Sequence, residues 1–598
     1  MLDTMSGARN WRQKQSHACE LLAERYPEIY YALTFGEIAP AEPQPGIKAE
    51  IERFSKKMPS DEIEVLYLFG LELGAAYPIL RTWLQKDSSR QLIILEDDLT
   101  VFASWLHYGI PEDILTEAQV HLRYVPGKAA WKGIVAACAR DFPCRHIDVL
   151  ASETYAKNRS RFFASLRLQL LRKTGLAYTY FTEALYAHVV IDTNLLHNVP
   201  HLARSFEATR LAQKFQNIPA VICGAGPSLG PAAPLLSTLE DRALILAGGS
   251  AVTALGNLGI VPHIALAIDP NKEEHERFKA SVVQEVPLLY GHRLHHDVFA
   301  TFNGPIGYMR SGTGGGGETW FEEKLGITGE TLGHELSPEA MSITTMAFAA
   351  AVAMGCNPII LIGVDLSYID SMRYAPGVMR DSSVNPAALA KQTEHLERLI
   401  KRKNNQGKWA LTLVRWVMES EALGSFAKKY PRTDIFNASD KGLRIPNLPH
   451  LALDTWIKTY AHKTHDLRGK LHAESESLKF SSITPENIQA SIHSFIASLY
   501  NLQQLGQEAH KEIDRLEREL HASLDSGKML AIDMQCQEEP AFAFLESVGL
   551  AFDHLMRRQF NLLRQANTPE DRQRRLRFIR AKWTHIESVV SHYLHLYR

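Results

Sequence analysis

The chain has 598 residues, 65 basic against 67 acidic side chains, 45% hydrophobic and 22% charged residues. This is ordinary globular composition, sufficient for about three or four domains of roughly 100–200 residues. The near-neutral balance argues against a dedicated nucleic-acid binder, which carries a marked basic excess. The six cysteines are scattered, without a Cys-x-x-Cys pair, which argues against structural zinc and suits a reducing compartment.

Residues 1–12 are polar and lack the apolar core of a signal peptide. The longest mildly apolar stretches, Ala340–Gly355 and Ile359–Val364, are split by Asn357 and Pro358. Both fall short of the roughly 20 apolar residues that span a bilayer, so no transmembrane segment and a cytoplasmic location are expected. Residues 1–60 are expected to be a helical segment. Residues 61–195 read as a first Rossmann-like α/β unit. There the run Ile63–Phe69 ends at Gly70, a helical stretch follows Leu71-Glu72-Leu73-Gly74, and the run Gln91–Leu95 ends in Glu96-Asp97-Asp98. The order strand, glycine turn, helix, strand, acid is that of a nucleotide-binding unit whose acid meets a ribose. Because the glycines are spaced GxxxG rather than GxGxxG, an α/β fold with an empty site is the preferred reading.

Residues 196–450 form the richest region. Short runs, apolar throughout, end in glycine or aspartate, as strands of a parallel sheet do when functional groups gather at their carboxyl ends. Val221–Cys223 feeds Gly224-Ala225-Gly226-Pro227-Ser228, Ala243–Ala247 feeds Gly248-Gly249-Ser250, Ile264–Ile268 feeds Asp269-Pro270, and Ile359–Ile362 feeds Gly363-Val364-Asp365 with Tyr368 beyond. Glycines let a backbone approach a ligand, and the unpaired amides of a helix start near Pro227 suit a phosphate; the alternative is a plain αβ turn. Asp269 suits a ribose or sugar hydroxyl, a metal, a base, or simply a turn. Asp365 and Tyr368 are expected at the same functional edge.

Four glycines in a row, Gly314–Gly317, predict a mobile loop between Gly304 and Glu318. Upstream, His292, His295 and His296 offer imidazoles that titrate near neutrality and can take a proton from a hydroxyl. The spacing HxxHH matches no known metal motif, and no metal ligand is assigned. Ser337-Pro338 reads as a helix start, with small alanines packing the following helix on the sheet and Gly355 as its end.

Residues 451–598 read as a helical bundle. A helix capped by Thr484-Pro485 runs to about Leu524, a second covers about Pro540–Gln565 and a third Pro569–Tyr597. The basic run Arg572–Lys582 is read as a solvated helical face.

In order, GAGPSL, then GGS with GIVPHIALAID, then SITTMAFAAAVAMGCNPIILIGVDLSY resemble the DUF115 (MAF_flag10) domain of Maf, or motility-associated factor, flagellin glycosyltransferases. Phe436-Asn437-Ala438-Ser439-Asp440-Lys441-Gly442 resembles the closing N-A-T-x-G-G stretch, with Lys441 in place of a glycine. His263 stands where family members usually carry aspartate. The resemblance implies a central domain similar to bacterial sialyltransferases, which share a GxGPS turn for CMP and a later G-x-D. It implies transfer of a nonulosonic acid from its CMP form to Ser or Thr of a protein acceptor such as flagellin. On that reading Gly224–Ser228, Gly248–Ser250, Asp269, Gly363, Asp365 and Tyr368 bind the donor, and Asp269, His292, His296 and Asp365 are the catalytic candidates. No cofactor is obligatory, since CMP carries one phosphate, although Mg²⁺ is compatible. The same domain occurs in archaeal enzymes that pyrophosphorylate 6-hydroxymethylpterin, so an ATP- and Mg²⁺-dependent pyrophosphokinase is one alternative and a non-catalytic flagellin-binding chaperone another.

Overall fold

The computed structural model describes residues 16–36, 59–70, 77–108, 112–127, 129–312, 315–332, 342–378, 382–389, 396–524, 526–560 and 568–597, with residues 38, 40, 391, 394 and 562. The chain divides into two compact units. One comprises residues 1–181, 392–398 and 553–578, the other residues 182–391, 399–552 and 579–598.

The first unit is built on four parallel strands, β1 (Val65–Phe69), β2 (Gln91–Glu96), β3 (Val120–Tyr124) and β4 (Ile147–Ala151), in the order β3-β2-β1-β4. Successive side chains of a strand point to opposite faces, and here both faces are covered. Leu66, Leu68, Leu92, Ile94 and Leu122 join one apolar cluster, and Val65, Tyr67, Phe69, Ile93 and Leu95 join another. Later segments of the chain tie into this unit: Arg398 pairs with Asp148 at 2.9 Å and Arg558 pairs with Glu64.

At the carboxyl edge of this sheet, described residues pack on and hydrogen-bond to one another. Gly70 has φ +89°, and a Cβ there would lie 2.6 Å from the Tyr155 ring. Tyr155 donates to Glu96 Oε1 at 2.5 Å, and that oxygen also accepts the amides of Asp97 and Asp98. Asp97 pairs with Arg159 at 2.7 Å, and Asp98 accepts the Thr100 amide. Glu96, Asp97 and Asp98 thus each hold a partner within this unit. Leu71-Glu72-Leu73-Gly74 lies outside the described residues.

Among the described residues, the main sheet of the second unit has eight strands: β5 (Phe206–Glu207), β6 (Ala220–Cys223), β7 (Leu244–Gly248), β8 (Ile264–Ala267), β9 (Leu288–Tyr290), β10 (Ile306–Tyr308), β11 (Ile359–Ile362) and, after a separate antiparallel hairpin of β12 (Leu399–Lys403) and β13 (Trp409–Leu413), β14 (Ile435–Asn437). The sheet runs β14-β11-β6-β7-β8-β9-β10-β5, and every pair in it is parallel. From β6 the chain moves outward through β7 to β10 and later returns on the other side of β6 as β11. The switch point therefore lies between β6 and β11, where doubly wound sheets open a crevice beyond their strand ends. This is the parallel α/β architecture expected from the strand runs, preceded by a smaller α/β unit and followed by helices.

The helix Ile343–Ala353 buries Met346, Ala347, Phe348, Ala350 and Ala351 against this sheet. Its start is a capping box at Ser342 with Thr345, while the expected start at Ser337-Pro338 lies outside the described residues. Gly355 follows it in the left-handed region at φ +82°, the conformation that ends many helices. The mobile-loop reading is corrected for Gly315–Gly317, while Gly314 lies outside the described residues. Gly315–Lys324 is a helix, because a Cβ at Gly316 would meet the Ala543 carbonyl at 2.3 Å and one at Gly317 the Phe544 ring at 2.6 Å. These glycines permit close packing on the 3-10 segment Pro540–Phe544.

The C-terminal region is helical as expected. Thr484 caps Pro485–Arg518, whose stripe Ile488, Phe495, Leu499 and Leu502 is buried. The expected second helix divides into Pro540–Phe544 and Glu546–Gln559, and the third spans Pro569–His595. Within the basic run, Arg574 and Arg575 pair with Asp571, and Arg580 pairs with Asp514 and Glu517. Among the described residues no helix is long and apolar enough to cross a membrane.

Tyr593 donates a hydrogen bond to the fully desolvated carboxyl of Asp192, which burial pushes up to about 7. A carboxyl whose folded pKa lies above its unfolded value adds stability below the unfolded value and loses it as pH rises through the folded one. Asp192→Asn keeps an acceptor for Tyr593 without the titration. The melting temperature of the variant relative to the parent should therefore rise between about pH 4 and about pH 8, measured by circular dichroism.

Candidate functional site

The site grows from three strand ends that lock together at the switch point. Cys223 leads into Gly224 and Ile362 into Gly363, and the two glycines pass so close that a Cβ on Gly224 would lie 2.4 Å from the Gly363 carbonyl oxygen. The Gly226 amide donates to that oxygen at 2.8 Å, and the Gly363 amide donates to Ser228 Oγ at 3.2 Å. Asp365 closes the lock: its Oδ2 accepts the Ser228 amide at 2.9 Å, and its Oδ1 accepts the hydroxyl of Ser439, just past β14. Asp365 is 3% exposed. Burial raises its carboxyl pKa, and the hydrogen bonds from Ser228 and Ser439 work against that rise.

This arrangement explains the glycine pattern physically. A Cβ on Gly226 would sit 2.4 Å from Asp365 Oδ2, so the turn is bare because a carboxylate lies against it. The anion position at the start of the helix Leu229–Leu236 is held by the protein's own Asp365 rather than left free for a ligand. Around it, Ala225, Gly226, Pro227 and Ser228 remain half-buried. No described residue accepts from the amide of Ala225.

The neighbouring turn is shaped by packing too. A Cβ on Gly248 would lie 2.4 Å from the Ile343 side chain, and Gly249 has φ +48° with a buried carboxylate, Glu274, facing it. Ser250 begins the helix Ser250–Asn257. Burial pushes the Glu274 carboxyl up to about 7, Arg277 pulls it down from 2.8 Å, and the charge of Asp269 adds to the rise. Asp269 is half-buried at the end of β8, where Oδ1 accepts the amide and side-chain nitrogen of Asn271 at 3.0 and 2.8 Å.

The histidines separate. His292 is fully buried and is corrected as a base candidate. Its Nδ1 lies 3.0 Å from Tyr308 Oη, which also meets Glu322 at 2.6 Å and Glu318 at 3.2 Å. Burial lowers its pKa to about 3, and a core imidazole cannot meet an acceptor hydroxyl. His263 is likewise structural, accepting the Ile245 amide at Nδ1 and facing the Glu240 carbonyl from Nε2. His296 is half-buried at the surface with Nδ1 2.8 Å from Asn194 Oδ1, and burial lowers its pKa as it does that of His295.

Beyond Asp365 the chain walls a cleft of about 320 Å³ lined by Tyr368, Asp370, Lys408, Trp409 and Lys441 among others. That volume is at the lower end of small-molecule sites, roughly 300–1,000 Å³. Tyr368 packs edge-on against Trp416 at 4.9 Å, and Lys441 pairs with Asp370 at 2.9 Å while staying exposed. The structure thus gathers Gly224–Ser228, Gly363, Asp365 and Tyr368 along one edge. Three participants had no role in the sequence reading. Ser439 lay in a recognised stretch, but after a strand of only three residues; Lys441 registered only as a departure from the motif; Glu274 was hidden in the charged run KEEHERFKA.

Removing the lock should register as stability. Asp365→Ala strands the Ser228 amide and the Ser439 hydroxyl, an expected loss of about 1–3 kcal/mol for each buried group left unpaired. Gly226→Ala forces the turn off the carboxylate at a cost of about 1–3 kcal/mol. Urea denaturation of both variants, with Asp365→Asn intermediate, checks the ranking.

Residues 193–371 match the family model described as 6-hydroxymethylpterin diphosphokinase MptE-like. Among solved structures, the MAf glycosyltransferase from Magnetospirillum magneticum AMB-1 is similar over 97% of this chain and 96% of that chain, at 15% sequence identity and a TM-score of 0.49. No curated protein matches the chain. The resemblance read from the motifs is borne out at this level: residues 193–371, which hold the strands β5–β11 and the Asp365 loop, are similar to that family model.

Proposed function

We propose that the chain is a glycosyltransferase that moves a nonulosonic, sialic-acid-like sugar from a CMP donor to a Ser or Thr hydroxyl of a protein acceptor such as flagellin. The observation that carries this reading is the switch-point crevice, where the half-buried Gly224–Ser228 turn adjoins a loop that continues from Asp365 into a cleft flanked by Tyr368, Lys408 and Lys441. The motif resemblance to Maf proteins supplies the donor and acceptor classes.

With the Ser228 amide held by Asp365, the donor phosphate takes the Ala225 amide and the Lys441 ammonium. Asp365 is then a positioning residue that fixes the turn. The acceptor oxygen attacks the anomeric carbon as the bond from that carbon to the phosphate oxygen breaks. CMP leaves with the bonding pair, and the hydroxyl proton passes to Asp269, whose Oδ2 is not used by Asn271. Fixed donors aimed at a charge that grows in the transition state are worth about 3–4 kcal/mol each. The phosphokinase reading is supported by the family description; it asks Asp269 and Asp365 to bind Mg²⁺, and of these two, Asp365 already accepts a hydrogen bond at each carboxylate oxygen.

A ligand that binds only the native state raises apparent stability. CMP should therefore raise the melting temperature more than CDP, UDP, GDP or ATP with Mg²⁺, and Lys441→Ala should weaken CMP binding by about tenfold in calorimetry, as for loss of one charge-assisted contact. A shift specific to ATP with Mg²⁺ would select the phosphokinase. No shift with any nucleotide, together with retained binding to an acceptor protein, would select the chaperone.

A further inference from the structure

The loop after β9 and the helix Lys272–Ala280 bring four imidazoles into a continuous stack. His275 and His295 lie with ring centroids 5.9 Å apart and planes 5° apart, His295 and His296 at 4.9 Å and 12°, and His296 and His197 at 4.6 Å and 22°. Asp297 stands beside three of them. Its Oδ2 is 4.0 Å from both His275 Nδ1 and His295 Nδ1, and its Oδ1 is 3.6 Å from His296 Nε2.

The hydrogen bonds around the stack fix the tautomer of His296. Asn194 donates from Nδ2 to the carbonyls of Pro270 and Arg293, which fixes its Oδ1 as the acceptor facing His296 Nδ1 at 2.8 Å. The His296 proton therefore sits on Nδ1, and Nε2 turns a bare lone pair toward the carboxylate. His295 Nδ1 accepts the Asp297 amide at 3.4 Å. His275 contacts Thr301 Oγ1 through Nε2 at 3.1 Å, while its Nδ1 is buried without a hydrogen-bond partner. His275 Nδ1, His295 Nδ1 and the Asp297 carboxylate thus face one another, with only the long Asp297 amide contact to His295 Nδ1 among them.

We propose that His275 Nδ1, His295 Nδ1 and the Asp297 carboxylate form a binding site for one transition-metal dication of the zinc class. These ligand atoms lie within 4.8 Å of one another. Bonds of about 2.0–2.1 Å in a tetrahedron place ligand atoms about 3.3 Å apart, so the 4.0 Å separations from Asp297 must close by about 0.7 Å. The Asp297 side chain is 50% exposed and free to swing inward. Two imidazoles and a carboxylate are an N/O donor set suited to zinc, nickel or copper rather than to magnesium. The exposed side of Asp297 leaves the fourth position to water or another oxygen donor. Thr301 orients His275 through its second nitrogen, the usual arrangement around a ligating histidine.

The test uses the full chain freed of metal with chelator, then titrated with ZnCl₂ by calorimetry and with CoCl₂ by visible absorption. One zinc per chain is expected, with cobalt bands of nitrogen and oxygen ligation and no thiolate charge-transfer band. His295→Ala and Asp297→Asn should each weaken zinc at least tenfold and abolish the cobalt bands. Thr301→Val should weaken zinc about 10–100-fold with the ligands intact. His197→Ala, at the far end of the stack, should leave binding unchanged. Circular dichroism melts of the metal-free variants establish that they fold. The proposal is overturned if the parent takes up no stoichiometric metal, if zinc survives in both ligand variants, or if His197→Ala lowers affinity as much as they do.

Discussion

One buried carboxylate organises the main α/β unit. Asp365 accepts the amide of Ser228 beyond β6 and the hydroxyl of Ser439 beyond β14, so a single side chain joins three adjacent strand ends. The reciprocal Gly226–Gly363 and Gly363–Ser228 hydrogen bonds complete the junction. A carboxylate placed at a helix start is stabilised by the local dipole, and the desolvation that opposes it is offset by two donors. Remove the carboxylate, and the turn after β6 and the segment after β14 lose their common partner.

This lock changes what a glycine-rich turn means. Bare backbone at 224–226 invites the inference of a phosphate cradle, but two of its three positions are bare because a neighbouring carbonyl or carboxylate fills the space. On the proposed function, the donor comes over the lock rather than into it. The remaining handles are the Ala225 amide, the exposed Lys441 and the cleft beyond Tyr368.

Much of the fold was legible because buried parallel strands read as short uninterrupted apolar runs, and β6, β7, β8 and β11 all do. The edge strand β14, at three residues, carries too little pattern to be found that way, and with it Ser439 was missed. The mobile-loop reading failed at Gly315–Gly317 because glycine serves close packing as well as flexibility, and only the positions of Ala543 and Phe544 separate the two. His292 looked like a base because sequence carries no record of burial; beneath Tyr308 and Glu318 it is a core residue. His295 and His296 were singled out by spacing, whereas their partners His275 and Asn194 lie about 20 and 100 residues earlier, distances that only the fold closes.

The central claim is that the nucleotide binds over an intact Asp365 lock, and a crystal structure of the chain soaked with CMP addresses it most directly. The account predicts the phosphate against the Ala225 amide and the Lys441 ammonium, with the Ser228–Asp365 hydrogen bond unbroken. A phosphate seated on the Ser228 amide with Asp365 swung away, or a nucleotide bound at another strand end, would contradict it.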